Sequence, residues 1–355
     1  MGTLFFCFVA LLLAGYVVLD GYDLGAGLLH LRVARDDAER RQVLATIGPL
    51  WDGNEVFLVA AGGTLFFAFP LLYAAAFSGF YLPLMIVLWL LVGRGVSIEL
   101  RSHLEAAPWR QFFDAVFFLS SGLLAFFLGV ALGNVVRGVP LGPDRIFLQP
   151  LWSGIGGGAA GAGVPGVIDA YTALVGATAL AVLAEQGALW LAHRAEGPVR
   201  DRARALAPRL WAVAFALVAC SSVATFFVQP HIPRAMASGP WRAAFPVAAA
   251  LAGLGAPLLQ RRGRDGAAFA AWSAFLALLL ATAAFGLYPW VLPSSIDPAL
   301  SLTVEEAQTA EASLRIGAAW WLPGVALAIG YTVFVHRRFS GRVRPDPSDP
   351  TQSNP

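Results

Sequence analysis

Long apolar runs dominate this chain, and short clusters of arginine, glycine and proline separate them. About 20 apolar residues are enough for a helix to cross a bilayer. Nine such runs are legible, over about 3–32, 46–74, 77–101, 111–136, 167–193, 209–229, 241–260, 267–289 and 316–336. They are continuous and do not alternate with period two, so helices are expected and barrel strands are not. The predicted fold is an all-α polytopic membrane protein with about nine transmembrane helices. Spans one to four and five to eight make two four-helix bundles, and span nine is a peripheral helix. On this reading residues 1–338 are one integral membrane domain and 339–355 a disordered cytoplasmic tail. Segment 137–166, containing GIGGGAAGAGVPG, reads as a flexible outer loop. Segment 290–315, with Glu305, Glu306 and Glu311, reads as a loop carrying a short surface helix.

Charge placement adds orientation. All 24 basic residues are arginines. Eighteen fall in the loops after spans one, three, five and seven and in the tail; five (Arg137, Arg145, Arg234, Arg242 and Arg315) fall on the other side, and Arg94 lies within a span. The positive-inside rule then sets the N-terminus outside and the C-terminus in the cytoplasm. Composition agrees, with 58% hydrophobic and 13% charged residues. A net charge of +2 gives no reason to expect nucleic acid.

Polar residues inside the spans carry the candidate chemistry. A carboxylate in a bilayer costs roughly 2.5–3.5 kcal/mol on the insertion scale, so it needs a reason to be there. Span one holds Asp20 and Asp23 in VVLDGYDLGAG, three apart and therefore on one helix face. Asp52 and Glu55 repeat that spacing at the start of span two, in WDGNE, and span three carries Arg94, Glu99 and Arg101. These three spans are expected to bring five carboxylates and two guanidiniums to similar depth, toward the cytoplasmic end. Proton handling is the leading reading, with Asp52 the preferred residue, Asp20, Asp23, Glu55 and Glu99 further proton-path candidates, and Arg94 and Arg101 their charge partners. The competing reading is that these groups simply pair and hold the helices together. Gly21, Gly25, Gly27, Gly62 and Gly63 are expected at close helix contacts. Cys7 and Cys220 sit in apolar runs and suggest packing. The histidines His30, His103, His193, His231 and His336 all fall near span ends, and no C-x-x-C-H occurs. No cofactor or metal is therefore assigned to this chain.

These motifs together resemble subunit II of cytochrome bd-type quinol oxidases. The resemblance rests on VVLDGYDLGAG (17–27), ERR (39–41), IGPLWDGNEVFLVAAGGTLFFAFP (47–70), FSGFYLPL (77–84), RGVSIELR (94–101), GVALGN (129–134), and YPWVLPSS followed by SLT (288–303). It implies a partner, subunit I, bearing two b-type haems, haem d and the quinol-oxidising loop. It also implies a terminal oxidase of the respiratory chain that oxidises quinol outside, reduces dioxygen to water, draws protons from the cytoplasm and does not pump. The chain alone is then not catalytic. The family's WDGN carboxylate maps onto Asp52, a proposed proton-path residue. Trp51, Asn54 and Phe57 become candidates for the subunit interface. Phe57 departs from the family, which often has Trp there and so an indole N–H donor. A small accessory subunit, membrane lipid and quinone are further partners to consider. The rival reading is a stand-alone proton-coupled transporter or channel, which should show repeated interrupted helices near the midplane.

Overall fold

The computed structural model describes residues 1–152 and 165–344. Of the loop expected to be flexible over 137–166 and the tail expected to be disordered over 339–355, residues 153–164 and those beyond 344 lie outside the described residues, whereas Val343 pairs with the Arg194 carbonyl and the Glu196 N–H. Among the described residues, eight helices are long and apolar enough to cross a membrane. They are α1 (Gly2–Val33), α5 (Tyr81–Leu100), α6 (Ala107–Arg137), α7 (Ala170–Arg194), α8 (Gly197–Val228), α10 (Pro240–Arg261), α11 (Asp265–Leu287) and α13 (Glu311–Arg338).

The run expected over 46–74 is different. Its first residues end a separate polar helix, α2 (Asp37–Ile47), whose N-cap Asp36 accepts from the Glu39 N–H. The span itself is α3 (Trp51–Ala68), only 18 residues long, with Asp52, Asn54 and Glu55 in its first turns. It breaks at Phe69, where φ −133° and ψ 61° leave the helical region. The cause is Pro70, which disfavours helix in the residue before it and cannot donate an N–H. The chain restarts as α4 (Pro70–Gly79). Proline also opens α6, α8 and α10, where the missing N–H costs nothing. An Asp169–Thr172 capping box starts α7. Between α8 and α10 lies the short helix α9 (His231–Ser238).

Helices α1, α3, α5 and α6 form one group, and α7, α8, α10 and α11 the other. Helix α1 also packs on α7 and α11, and α6 on α7, so the two groups share one core. Small residues allow the closest approach. A Cβ on Gly25 would lie 2.1 Å from the Leu183 carbonyl oxygen and 2.5 Å from the Gly187 nitrogen, so α1 and α7 meet backbone to backbone there. The expectation fails for Gly62 and Gly63, where a Cβ would meet nothing within 4 Å. Gly63 faces a groove instead of a neighbouring helix.

Helix α13 is peripheral and stays mostly exposed. It is held to α3 and α1 by Trp321 Nε1 donating to Thr64 Oγ1 at 2.9 Å and by Trp321 stacking on Phe8 at 3.8 Å. The segment before it is not purely helical. A two-stranded antiparallel ribbon, β1 (Trp290–Leu292) and β2 (Leu302–Thr303), precedes a single turn, α12 (Val304–Ala307). Glu305 and Glu306 sit on that turn as expected, whereas Glu311 begins α13.

Candidate functional site

The acid pairs of α1 and α3 do converge, but not as one layer. Asp20, Asp23 and Arg94 are all fully buried. Arg94, four turns along α5, sends one Nη2 to both Asp20 Oδ1 and Glu55 Oε1, each at 2.6 Å. Asn54 donates from Nδ2 to Asp23 Oδ2 at 2.8 Å and to the Tyr22 hydroxyl at 2.7 Å. Tyr22 stacks on Trp190 of α7 at 4.0 Å, and its hydroxyl lies 3.0 Å from His336 Nε2 of α13. His336 Nδ1 bonds the Thr332 carbonyl, so Nε2 is the acceptor and the Tyr22 O–H donates to it.

Three carboxyl groups therefore face one guanidinium in a buried centre. Several of its polar atoms have no protein partner: Asp20 Oδ2, Asp23 Oδ1, Arg94 Nε and Nη1, and the Tyr16 hydroxyl. Unpaired buried polar atoms cost on the order of 1–3 kcal/mol each, more when charged. Glu55 has 26% of its side chain exposed, so the centre opens on the α3 side.

Two expected members lie elsewhere. Asp52 is exposed on this chain, one turn outward from Glu55. Glu99 is also exposed, because it points away from the face of α5 that carries Arg94 and Ser97. Depth inferred from span position fails here because helix rotation decides which side a residue faces. Trp51 is half-buried with its ring 3.4 Å from the Cβ position of Gly95 on α5. Asn54 is buried within the centre, not available at a surface, and Phe57 is half-buried with its ring 3.0 Å from the Cβ position of Gly15.

Arg101 belongs to a second network with partners that sequence reasoning did not single out. Its Nε donates to Asp114 Oδ1 at 2.5 Å and its Nη2 to Asp37 Oδ1 at 2.8 Å. Asp114 also takes His30 Nε2 at 2.6 Å and Arg40 Nη1 at 2.9 Å, while Arg110 bonds Asp37 at 2.8 Å. His30 is fully buried. With every carboxylate oxygen engaged, this network clamps α2 to α1, α5 and α6. Nearby, Arg202 of α8 forks onto both Glu39 oxygens at 2.6 and 2.8 Å. That bond holds the Glu39 carboxyl below its usual range, against the opposing effect of burial. Glu185 on α7 was also missed. It is 2% exposed and its Oε2 has no partner. The available signal for Asp114 and Glu185 was the same as for Asp20, a lone acid inside an apolar run.

The comparisons with known proteins agree on one family. The family model for cytochrome bd terminal oxidase subunit II matches residues 1–339. Cytochrome bd-I ubiquinol oxidase subunit 2 of Escherichia coli (strain K12) is 32% identical over 361 residues, covering 94% of this chain and 93% of that protein. Cytochrome bd ubiquinol oxidase subunit 2 of Bacillus subtilis (strain 168) is 31% identical over 341 residues, covering 96% of each. The structure of bd oxidase from Geobacillus thermodenitrificans superposes with a TM-score of 0.76 over 95% of this chain and 98% of that one. At 19% identity that match speaks for the fold alone. The transporter reading is not favoured. With the family model spanning all the described helices, the chain belongs to the cytochrome bd terminal oxidase subunit II family.

Proposed function

We propose that this chain, as subunit II of a membrane-bound quinol oxidase, supports a haem-bearing subunit I and delivers protons through its α1–α3–α5 centre. The observation that carries this is a gradient of exposure. Asp52 is exposed, Glu55 is partly exposed, and Arg94 with Asp20 is fully buried, each one step further in. Asp52 and Glu55 lie on one face of α3, one turn apart. A proton taken up at Asp52 passes through water to Glu55. Arg94 keeps Glu55 and Asp20 oriented and limits the charge that accumulates. Asp23, fixed by Asn54, is the inner acceptor.

The haems supply oxygen reduction when bound, and we assign two haem b and one haem d to subunit I. The residues of this chain fit that division. His30 is committed to Asp114 and His336 to Tyr22 and Thr332. A groove of about 740 Å³ has no His, Met or Cys in its lining. It runs between α3 and α13 past Phe57, Gly63, Phe67, Trp320 and Trp321. Its apolar walls favour a second role, admitting dioxygen from the bilayer. A small accessory subunit and a bound quinone remain proposals of the same kind.

The test is Asp52→Asn in the assembled complex, which keeps size and hydrogen bonding and removes the titratable proton. Oxygen consumption with saturating quinol should fall tenfold or more, about 1.4 kcal/mol in barrier, with haem content unchanged. Normal turnover in a fully haem-loaded variant would sink the proton-delivery reading. Orientation follows from the arginine asymmetry: reporter fusions after Arg41 should read cytoplasmic and those near Glu306 external, and the reverse pattern would refute it.

A further inference from the structure

Five arginines lie on the side of the protein poor in positive charge, and three are neutralised. Arg137 pairs with Asp169, Arg145 with Glu306 at 3.5 Å, and Arg315 with Glu311 at 2.8 Å. Arg234 and Arg242 have no carboxylate within ion-pair distance among the described residues. Both sit where α9 meets α10, beside His231. Two guanidiniums without an acid partner close to one imidazole make a local seat for an anion.

The local geometry supplies a seat for one. Arg242 lies over the rings of Trp241 and Tyr288, at 5.5 and 5.9 Å. Its Nη1 reaches the Ala235 carbonyl at 3.3 Å and the Tyr288 carbonyl at 3.5 Å, which leaves Nε buried without a partner. His231 stacks on Trp290 at 4.0 Å, and its Nε2 is also buried without a partner. Gly239 leaves a gap between two of the donors. A Cβ there would lie 3.2 Å from Trp241 Nε1 and 3.6 Å from Arg242 Nε. An oxygen anion at that point is within hydrogen-bond range of Trp241 Nε1 and close to the positive charge of the Arg242 guanidinium. Burial pushes the His231 imidazole below its usual value, a hydrogen bond to the Tyr288 carbonyl opposes this, and Arg242 and Arg234 push it down further. A bound anion relieves that repulsion.

We infer that Arg242, Arg234 and Trp241 bind the phosphodiester headgroup of an anionic phospholipid in the outer leaflet. Three observations select a lipid. The aromatic residues Trp241, Tyr288 and Trp290 cluster as they do at membrane interfaces. Below the seat, Val247, Leu251, Leu254 and Leu258 form an exposed apolar lane along α10, spaced for an acyl chain to lie on. A neutral quinone headgroup would leave both guanidiniums unbalanced. The site is separate from the α1–α3–α5 centre and does not depend on how protons travel.

The experiment uses the whole oxidase complex, delipidated in detergent and then exposed to phosphatidylglycerol, with retained lipid counted by native mass spectrometry. Wild type should retain at least one phosphatidylglycerol that phosphatidylcholine does not replace. The Arg234→Gln/Arg242→Gln double variant should retain one fewer. Gly239→Ala, which fills the gap without changing charge, should behave like the double variant. Arg315→Gln removes a charge from the same face at an already paired position and should retain the wild-type number. Equal retention in all variants overturns the site. Equal loss in Arg315→Gln overturns it too, because the effect is then one of general charge. Release of the lipid by millimolar inorganic phosphate, or by a quinone, overturns the choice of a phospholipid. If the substituted complexes fail to assemble, the wild-type competition decides alone: equal retention of phosphatidylcholine refutes the inference.

Discussion

Removing the Arg94 guanidinium should be far more damaging than removing any exposed arginine. Arg94 is fully buried and is shared by Asp20 Oδ1 and Glu55 Oε1 at 2.6 Å each. Arg94→Met keeps most of the volume but leaves two carboxyl groups without the only cation that pairs with them among the described residues, with Asp23 close by. Breaking a buried pair by deleting one partner costs about 3–5 kcal/mol, because the remaining charge stays buried. If even 1.4 kcal/mol of that reaches the barrier to irreversible inactivation, the complex is lost roughly tenfold faster. The assay is residual oxygen consumption of the purified oxidase after timed incubation at one elevated temperature. Adding Asp20→Asn to Arg94→Met removes one orphaned charge and should restore part of the half-life, a coupling on the order of 1–3 kcal/mol in a double-mutant cycle. A single variant whose half-life stays within about twofold of wild type would refute the reasoning. So would a double variant no better than the single one.

Gly187→Ala should lower the yield of assembled complex and cost about 1–3 kcal/mol, since its Cβ would lie 2.1 Å from the Gly25 carbonyl carbon. Gly62→Ala, with nothing within 4 Å, should assemble normally, and equal yields from both would argue against a tight α1–α7 contact. The Glu39–Arg202 fork should stabilise the protein only while Glu39 is ionised. Because the folded-state value of Glu39 is lowered, this contribution is present above its unfolded value, about 4.3, and is lost as pH falls through the folded one. Thermal stability of Arg202→Gln should therefore lie below wild type near neutral pH, with the gap beginning to close only below about pH 4.3 and closing as pH falls further, and a gap that does not narrow there would refute the link.

The acid pairs on α1 and α3 were legible because a charge inside an apolar run stands out against its surroundings, whatever the fold. Asp114 and Glu185 carried the same signal in longer and more uniform runs, and only their burial shows their weight. Glu99 illustrates the opposite error. It shares a span with Arg94 and lies five residues away, and that spacing turns it well off the buried face. The pairing of Arg101 with Asp114 and Asp37 joins three helices that are distant in sequence, so no local spacing announces it.

By itself the sequence determined the class of fold, the number of spans to within one, the family and the residues of the α1–α3 acid pairs. Each of these depends on local quantities: the hydropathy of a 20-residue window, the i, i+3 spacing, a contiguous motif. The tertiary structure decided what depends on rotation and distance. It buried Asp20, Asp23 and Arg94 together while leaving Asp52 at the rim, joined Tyr22 to His336 across 314 residues of chain, and left Arg234 and Arg242 without an acid among the described residues. A helix sequence fixes which residues share a face, but only packing against other helices fixes where that face looks.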